Sequence, residues 1–342
     1  MEYGYSLVKH IEIFNMDPIS SIDLNEELLL FGTMLGYCGY YVIQTKKLKI
    51  ISELEDEHII STQIIKKKLY YLVGDEKIIV VEGKDDNYNN VQIKQIKNYY
   101  NNAEHNKKCD NTFCMIKNVF LFSIELSIPG DNDKSVDIRL CPWKIKNIEK
   151  NTDFEDRLEI SNFWVPFDFD GINLIYIDFY EKMKKSLKIF NCKEKKFILD
   201  LKLCELNKKE EESLGHISHI KKLKKDEIFL VHNYKKCQIR DFTFKLIKKF
   251  EHLGKEIIAC DSYYNQKDEL KILLLDLECN VFVYHEKADY EEYLFNLNKI
   301  SSIPKKIKDQ KFFAMGYPYF IKMSENYIAI TTDQGCFLLK RE

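Results

Sequence analysis

The residues able to do chemistry are few and scattered. His216 and His219 stand three apart, a spacing that could place two imidazoles on one metal ion. No cysteine or carboxylate pattern around them completes a zinc set. Cys109 and Cys114 form a lone pair with no second pair downstream, and the other eight cysteines are single and set mostly among apolar residues. That usage fits small buried hydrophobes in a reducing compartment. Asp168 and Asp170 in Pro166-Phe-Asp-Phe-Asp-Gly171 could be paired carboxylates, but the Asp-Gly step reads more naturally as a tight turn. Phosphate-cradling glycine loops, a Gly-x-Ser-x-Gly elbow and a His-Glu-x-x-His helix are all missing from the sequence. The chain is therefore expected to be non-catalytic, with no cofactor and no metal of its own.

The elements that must position these residues read as strands. Short apolar runs rich in Ile, Val, Tyr and Phe recur between charged or Asn-rich turns. Examples are 27–31, 39–44, 48–52, 68–73, 77–81, 113–128, 171–179, 227–231, 269–275, 280–285 and 327–340. Three pairs share one form, an apolar strand, an acidic turn and a second apolar strand: 68–73 with 77–81, 271–275 with 281–284, and 327–331 with 336–339. Recurrence over 342 residues predicts an all-β fold, a β-propeller of seven degenerate WD-type blades. It is expected to form one domain over 1–342, with a solvated Asn/Lys-rich insertion at 87–111 and the strand near 28–31 completing the last blade. WD blades end on Trp-Asp, and here Tyr284 or Leu339 takes the place of the Trp. With 12 Gly and abundant Lys, Asn, Ile and Tyr, the composition carries the imprint of an AT-rich coding genome, which erodes such motifs.

Composition narrows the partners. Fifty-two Lys and Arg against 54 Asp and Glu leave a net charge of −2, unlike a stand-alone nucleic-acid binder. Basic clusters at 66–68, 182–188, 221–225, 248–249 and 305–308 could still form a local patch for a phosphate backbone. No apolar run reaches the ~18 residues that a membrane span needs, and residues 1–18 lack a signal-peptide core.

The most informative stretch is Leu214-Gly-His-Ile-Ser218. Gly215-His216 is the dipeptide that opens a WD blade, and its imidazole is expected inside the blade as a structural element, with Leu214 and Ser218 completing the motif. A strand at 228–231, a turn at 232–238, Ile239-Arg240 and a second blade from Leu253-Gly-Lys255 follow. This order resembles the non-catalytic WD-repeat subunit of the eukaryotic tRNA (guanine-N7) methyltransferase. The similarity spans 213–286 and is closest at Leu214-Gly-His-Ile-Ser218 and Ile239-Arg240.

The resemblance implies a nuclear scaffold that binds the catalytic subunit, and tRNA through the complex. Its turn would offer cations to acidic residues of that subunit. Lys235 falls on the family's turn Arg, Lys236 adds a charge, and Arg240 sits on the matching strand. Tyr234 and Lys236 stand where the family has Asp, and Lys255 where a blade-opening His is usual. A generic WD scaffold of another complex, in ribosome assembly, a nuclear pore or ubiquitin-ligase targeting, is the alternative. A propeller enzyme would instead need polar or acidic residues converging from several blades.

Overall fold

The computed structural model describes residues 4–12, 17–53, 57–73, 77–84, 87–95, 109–117, 120–127, 137–144, 158–159, 163–169, 172–180, 184–191, 194, 196–203, 216–308, 312–313 and 319–342. Among the described residues, twenty-eight strands form seven four-stranded sheets. The first sheet is β2 (Ile19–Leu24), β3 (Leu28–Thr33), β4 (Tyr37–Val42) and β5 (Lys47–Glu53), in that order. Next come β6 (Ile59–Ile65), β7 (Lys68–Val73), β8 (Lys77–Lys84) and β9 (Asn87–Gln95). They are followed by β10 (Cys109–Lys117), β11 (Phe120–Ser127), β12 (Asp137–Lys144) and β13 (Leu158–Glu159). The fourth and fifth sheets are β14 (Phe163–Phe169), β15 (Asn173–Tyr180), β16 (Lys184–Asn191), β17 (Lys196–Lys202), and β18 (Ile217–Lys222), β19 (Glu227–His232), β20 (Lys236–Asp241), β21 (Leu246–Glu251). The sixth is β22 (Ile257–Tyr264), β23 (Leu270–Asp276), β24 (Asn280–His285) and β25 (Tyr290–Asn296). The last joins β26 (Ile321–Met323), β27 (Tyr327–Thr332) and β28 (Gly335–Arg341) to β1 (Tyr5–Ile11), which pairs antiparallel with β28 from Tyr5↔Arg341 to Ile11↔Cys336.

Two expectations are corrected here. The strand that completes the last sheet is Tyr5–Ile11, not the run near 28–31, because Leu28–Thr33 is occupied as a central strand between β2 and β4. The segment 87–111 is not wholly an insertion: it opens with β9, whose Tyr88 is buried against Tyr40, ring centroids 5.2 Å apart. The Asn and Lys content that reads as loop suits an outermost strand with one face in water. The part from 96 to 108 lies outside the described residues, as do Asp170 and Gly171.

The two middle strands of a sheet explain themselves. They are covered on both faces, so they read as unbroken apolar runs such as Leu28-Leu-Leu-Phe31 and Ile272-Leu-Leu-Leu275, all nearly inaccessible to solvent. Some outer strands are exposed and carry lysines, as in β21, Leu246-Ile-Lys-Lys-Phe-Glu251, which suits an edge that should not recruit another strand.

Contacts divide the chain into two compact units, 1–71 with 81–91 and 251–342, and 72–80 with 92–250. In the first, one core joins the last two sheets through Leu273, Val281, Ile328 and Phe337, and another joins the last sheet to the first through Leu29, Tyr41, Ala329 and Leu338. In the second, Ile175, Leu187, Ile228 and Phe244 join the fourth and fifth sheets.

Candidate functional site

Within the second unit, the segment that carries the blade motif and the expected partner contacts is a surface corner. The β19–β20 hairpin turns on Asn233 and Tyr234, both at positive φ (47° and 60°), and Lys235 N donates to His232 O at 3.1 Å. This tight turn matches the twist of its strands, with Asn well suited to the left-handed region and Tyr less so. It is pinned to the chain entering the sheet. Asn233 N donates to His216 O at 2.7 Å, and Asn233 Oδ1 accepts His216 N at 2.9 Å.

That geometry corrects the expectation for His216. Its imidazole is exposed and lies 5.8 Å from the Tyr234 ring, so it takes part in the corner and not in the blade interior. Ser218 does serve the sheet, its hydroxyl donating to Val231 O at 3.3 Å, whereas Leu214 and Gly215 lie outside the described residues. His219 Nδ1 meets the Ser218 hydroxyl at 3.1 Å, so the two histidines have different settings.

Lys236 is exposed and Lys235 half-buried, so the lysine-bearing corner faces outward, and among the described residues neither has a carboxylate partner. Arg240 is a correction. It is 5% exposed, its Nε donates to Gln238 Oε1 and its Nη1 to Phe244 O, both at 2.7 Å, and its guanidinium lies 4.1 Å from the Phe244 ring centroid. A planar, five-donor cation is suited to fixing a turn in this way. Arg240 therefore braces the β20–β21 corner and does not reach a partner.

The blade that carries Gly254-Lys255 has found another imidazole. His252, two residues earlier, is buried, with Nδ1 bonded to Glu291 Oε1 on β25 and its ring edge-on to Phe282 at 4.7 Å. The other Glu291 oxygen accepts Leu253 N at 2.8 Å. Asp276, fully buried at the end of β23, receives Lys255 N (3.0 Å), Glu278 N (2.9 Å) and both Asn280 nitrogens (2.8 and 2.9 Å). One carboxylate thus closes the β23–β24 turn and ties it to the loop leading into β22. A Cβ on Gly254 would collide with the Asp276 carboxylate and the His252 ring. The cue in the sequence was Glu251-His-Leu-Gly254, with the His three residues before the usual place.

The first strands hold a polar group that strand reading passed over. In the first unit β2 packs beside β6 and β26, and β26 beside β22. Asp23 on β2 accepts Leu24 N (3.0 Å) and Ile64 N (2.7 Å), and Lys322 on β26 reaches Asp261 on β22 at 3.3 Å. Burial pushes the Asp23 carboxyl above its usual range, against the pull of Lys322. Tyr263 donates to Glu325 at 2.5 Å; burial first, then that carboxylate, raises its phenol well above 10, so it stays a neutral donor. Acids do converge here, as a propeller enzyme would require, but they are engaged by a lysine and by backbone N–H groups of the next strand. The arrangement ties neighbouring first strands together. Asp168 on β14 does the same in the second unit, accepting Lys222 N on β18 at 2.7 Å.

The expected basic clusters are partly engaged: Lys68 with Glu82 at 2.8 Å, Lys188 with Asp200 at 3.7 Å and Lys222 with Asp226 at 3.9 Å. Buried Cys38, Cys237, Cys260, Cys279 and Cys336 are free thiols, and burial pushes Cys279 and Cys336 up to about 12. No helix among the described residues is long and apolar enough to cross a membrane.

Comparison with known proteins places the fold. No protein family matches the sequence, and no curated protein does. Among solved structures, the WD40 β-propeller domain of Doa1 is similar with a TM-score of 0.60 and 10% identity, over 99% of this chain and 98% of that one. A chain of the mitotic checkpoint complex is similar with a TM-score of 0.59 and 7% identity, over 99% of this chain and 93% of that one. The protein is a β-propeller of WD type, and at such identity the likeness is one of fold.

Proposed function

We propose that this propeller is a non-catalytic scaffold subunit that binds and stabilises the catalytic subunit of a tRNA (guanine-N7) methyltransferase, supporting 7-methylguanosine formation in tRNA in the nucleus. The observation that carries the reading is the corner described above. The segment with the sequence resemblance contains a turn pinned through Asn233 to the backbone of His216, and that turn presents Lys235 and Lys236 outward without a carboxylate partner among the described residues. A pre-organised turn loses little freedom on docking, and rim cations facing acidic residues direct encounter and register more than they add affinity. The catalytic partner would hold the methyl donor, and tRNA would be reached through the complex.

Two experiments test it. Deleting the gene should abolish or sharply lower 7-methylguanosine in tRNA, and unchanged levels would remove the proposal. Purification of the tagged chain should recover a Rossmann-type methyltransferase in equal amount. The charge reversal Lys235→Glu/Lys236→Glu should weaken that recovery at least tenfold while leaving the melting temperature unchanged. The second reading, a scaffold of a different complex, rests on the WD-type fold itself, and recovery of another stoichiometric partner without a methyltransferase would favour it.

A further inference from the structure

The first unit contains a cleft of about 330 Å³ between the outermost strand of the last sheet, β1, and the first sheet. Its walls are apolar: Ile19 and Phe31 are buried, and Leu48 and Ile50 on β5 are 39% and 37% exposed. Asp17 lines it at 1% exposure. Its Oδ1 accepts Leu35 N at 2.8 Å, and its Oδ2 is buried with no hydrogen-bond partner among the described residues.

A buried carboxylate with one oxygen unanswered is costly, and a structure retains such a group where something else satisfies it. The nearby candidates do not. Thr33 Oγ1 accepts Tyr37 N at 2.9 Å and makes no bond to Asp17 Oδ2, and His10 bonds Gln334 O at 2.6 Å, while burial holds its pKa below the usual value and disfavours the cation. Burial lowers His58 as well, although the Asp17 charge pulls it the other way. Lys9 and Glu12, which also line the cleft, carry opposite charges and leave it without a net cation.

We infer that this cleft receives a basic side chain, Arg or Lys, carried on an extended peptide of a partner protein, with an adjacent aliphatic side chain covering Leu48 and Ile50. A guanidinium or ammonium would complete Asp17 through a charge-assisted hydrogen bond. The volume lies at the foot of the ~300–1,000 Å³ range of small-molecule pockets, enough for one or two side chains. Leu48 and Ile50 belong to an outermost strand with which no further strand pairs among the described residues, a setting in which extended peptides dock. This site is separate from the Lys235–Lys236 corner and does not depend on the methyltransferase reading.

The test pans a random heptapeptide phage library on the immobilised full chain and measures the selected peptides, synthesised and labelled, by fluorescence polarisation. Asp17→Asn keeps an acceptor for Leu35 N, removes the charge and puts an NH2 donor in place of the other oxygen; Leu48→Ser alters an exposed position and carries the test should the first variant fail to fold. The expected result is enrichment of peptides combining Arg or Lys with an aliphatic residue, bound at least tenfold more weakly by each folded variant. Selected peptides lacking a basic residue, or equal binding by the variants, would overturn the inference. So would failure to enrich any peptide while free agmatine binds wild type and not Asp17→Asn, since that would make the cleft a small-amine site.

Discussion

Arg240 shows how a residue's role turns on what its neighbours leave undone. Its type and its place beside a basic turn suit a contact with an acidic partner, yet Phe244 O and Gln238 needed donors, and a guanidinium supplies two at fixed angles. Arg240→Ala would strand Phe244 O and empty the space above the Phe244 ring. It should cost about 2–3 kcal/mol of stability, read as a lowered urea midpoint with an unchanged slope. Lys235→Glu/Lys236→Glu, by contrast, should stay within about 0.5 kcal/mol of wild type, as surface substitutions usually do. His10 gives a pH dependence. Burial lowers its folded pKa below the unfolded value of about 6.5, so the unfolded chain takes up the proton first. Its contribution is present above pH 6.5 and is lost as pH falls through the folded pKa, by at most about 1.4 kcal/mol per pH unit and less for a partly exposed ring. Unfolding free energies between pH 7 and 5 should fall more steeply for wild type than for His10→Gln.

At the scale of the element, legibility followed burial. The middle strands of the sheets were plain in the sequence, because two covered faces demand runs such as Leu69-Tyr-Tyr-Leu-Val73. First strands such as Ile19-Ser-Ser-Ile-Asp-Leu24 and Ile217-Ser-His-Ile-Lys-Lys222 were not, because one of their faces is polar and ties neighbouring first strands together through Asp23 and Asp168. The three-residue β26 is too short for any pattern to show. The corner at 233–236 was legible as a turn and as outward-facing. The exposed His216 was not, since a Gly-His pair carries no mark of which way its ring points. Nor was the cleft at Asp17, whose lining within residues 9–50 comes together only because β1 joins the last sheet while β2 to β5 form the first. The loop before β22 makes a prediction of its own. Gly254→Ala should cost about 1–3 kcal/mol, as overpacking does, and two-dimensional NMR should place the disturbance at His252 and the Asp276 turn.

For the whole molecule, the pairing of β1 with β28 matters most. Deleting residues 4–11 would leave the last sheet with three strands and strip cover from Cys336 and Leu338, both fully buried. Such a chain should melt several degrees lower, and Cys336, whose thiol burial holds at about 12 in the intact fold, should become open to iodoacetamide at pH 8, with mass spectrometry as the readout.

The same pairing imposes an order on biosynthesis. About 320 residues separate β1 from β28, so β1 must wait, unpaired and adhesive, until β28 has been made. The closing step cannot precede the synthesis of β28, and whatever shields residues 5–11 until then sets the yield of soluble protein.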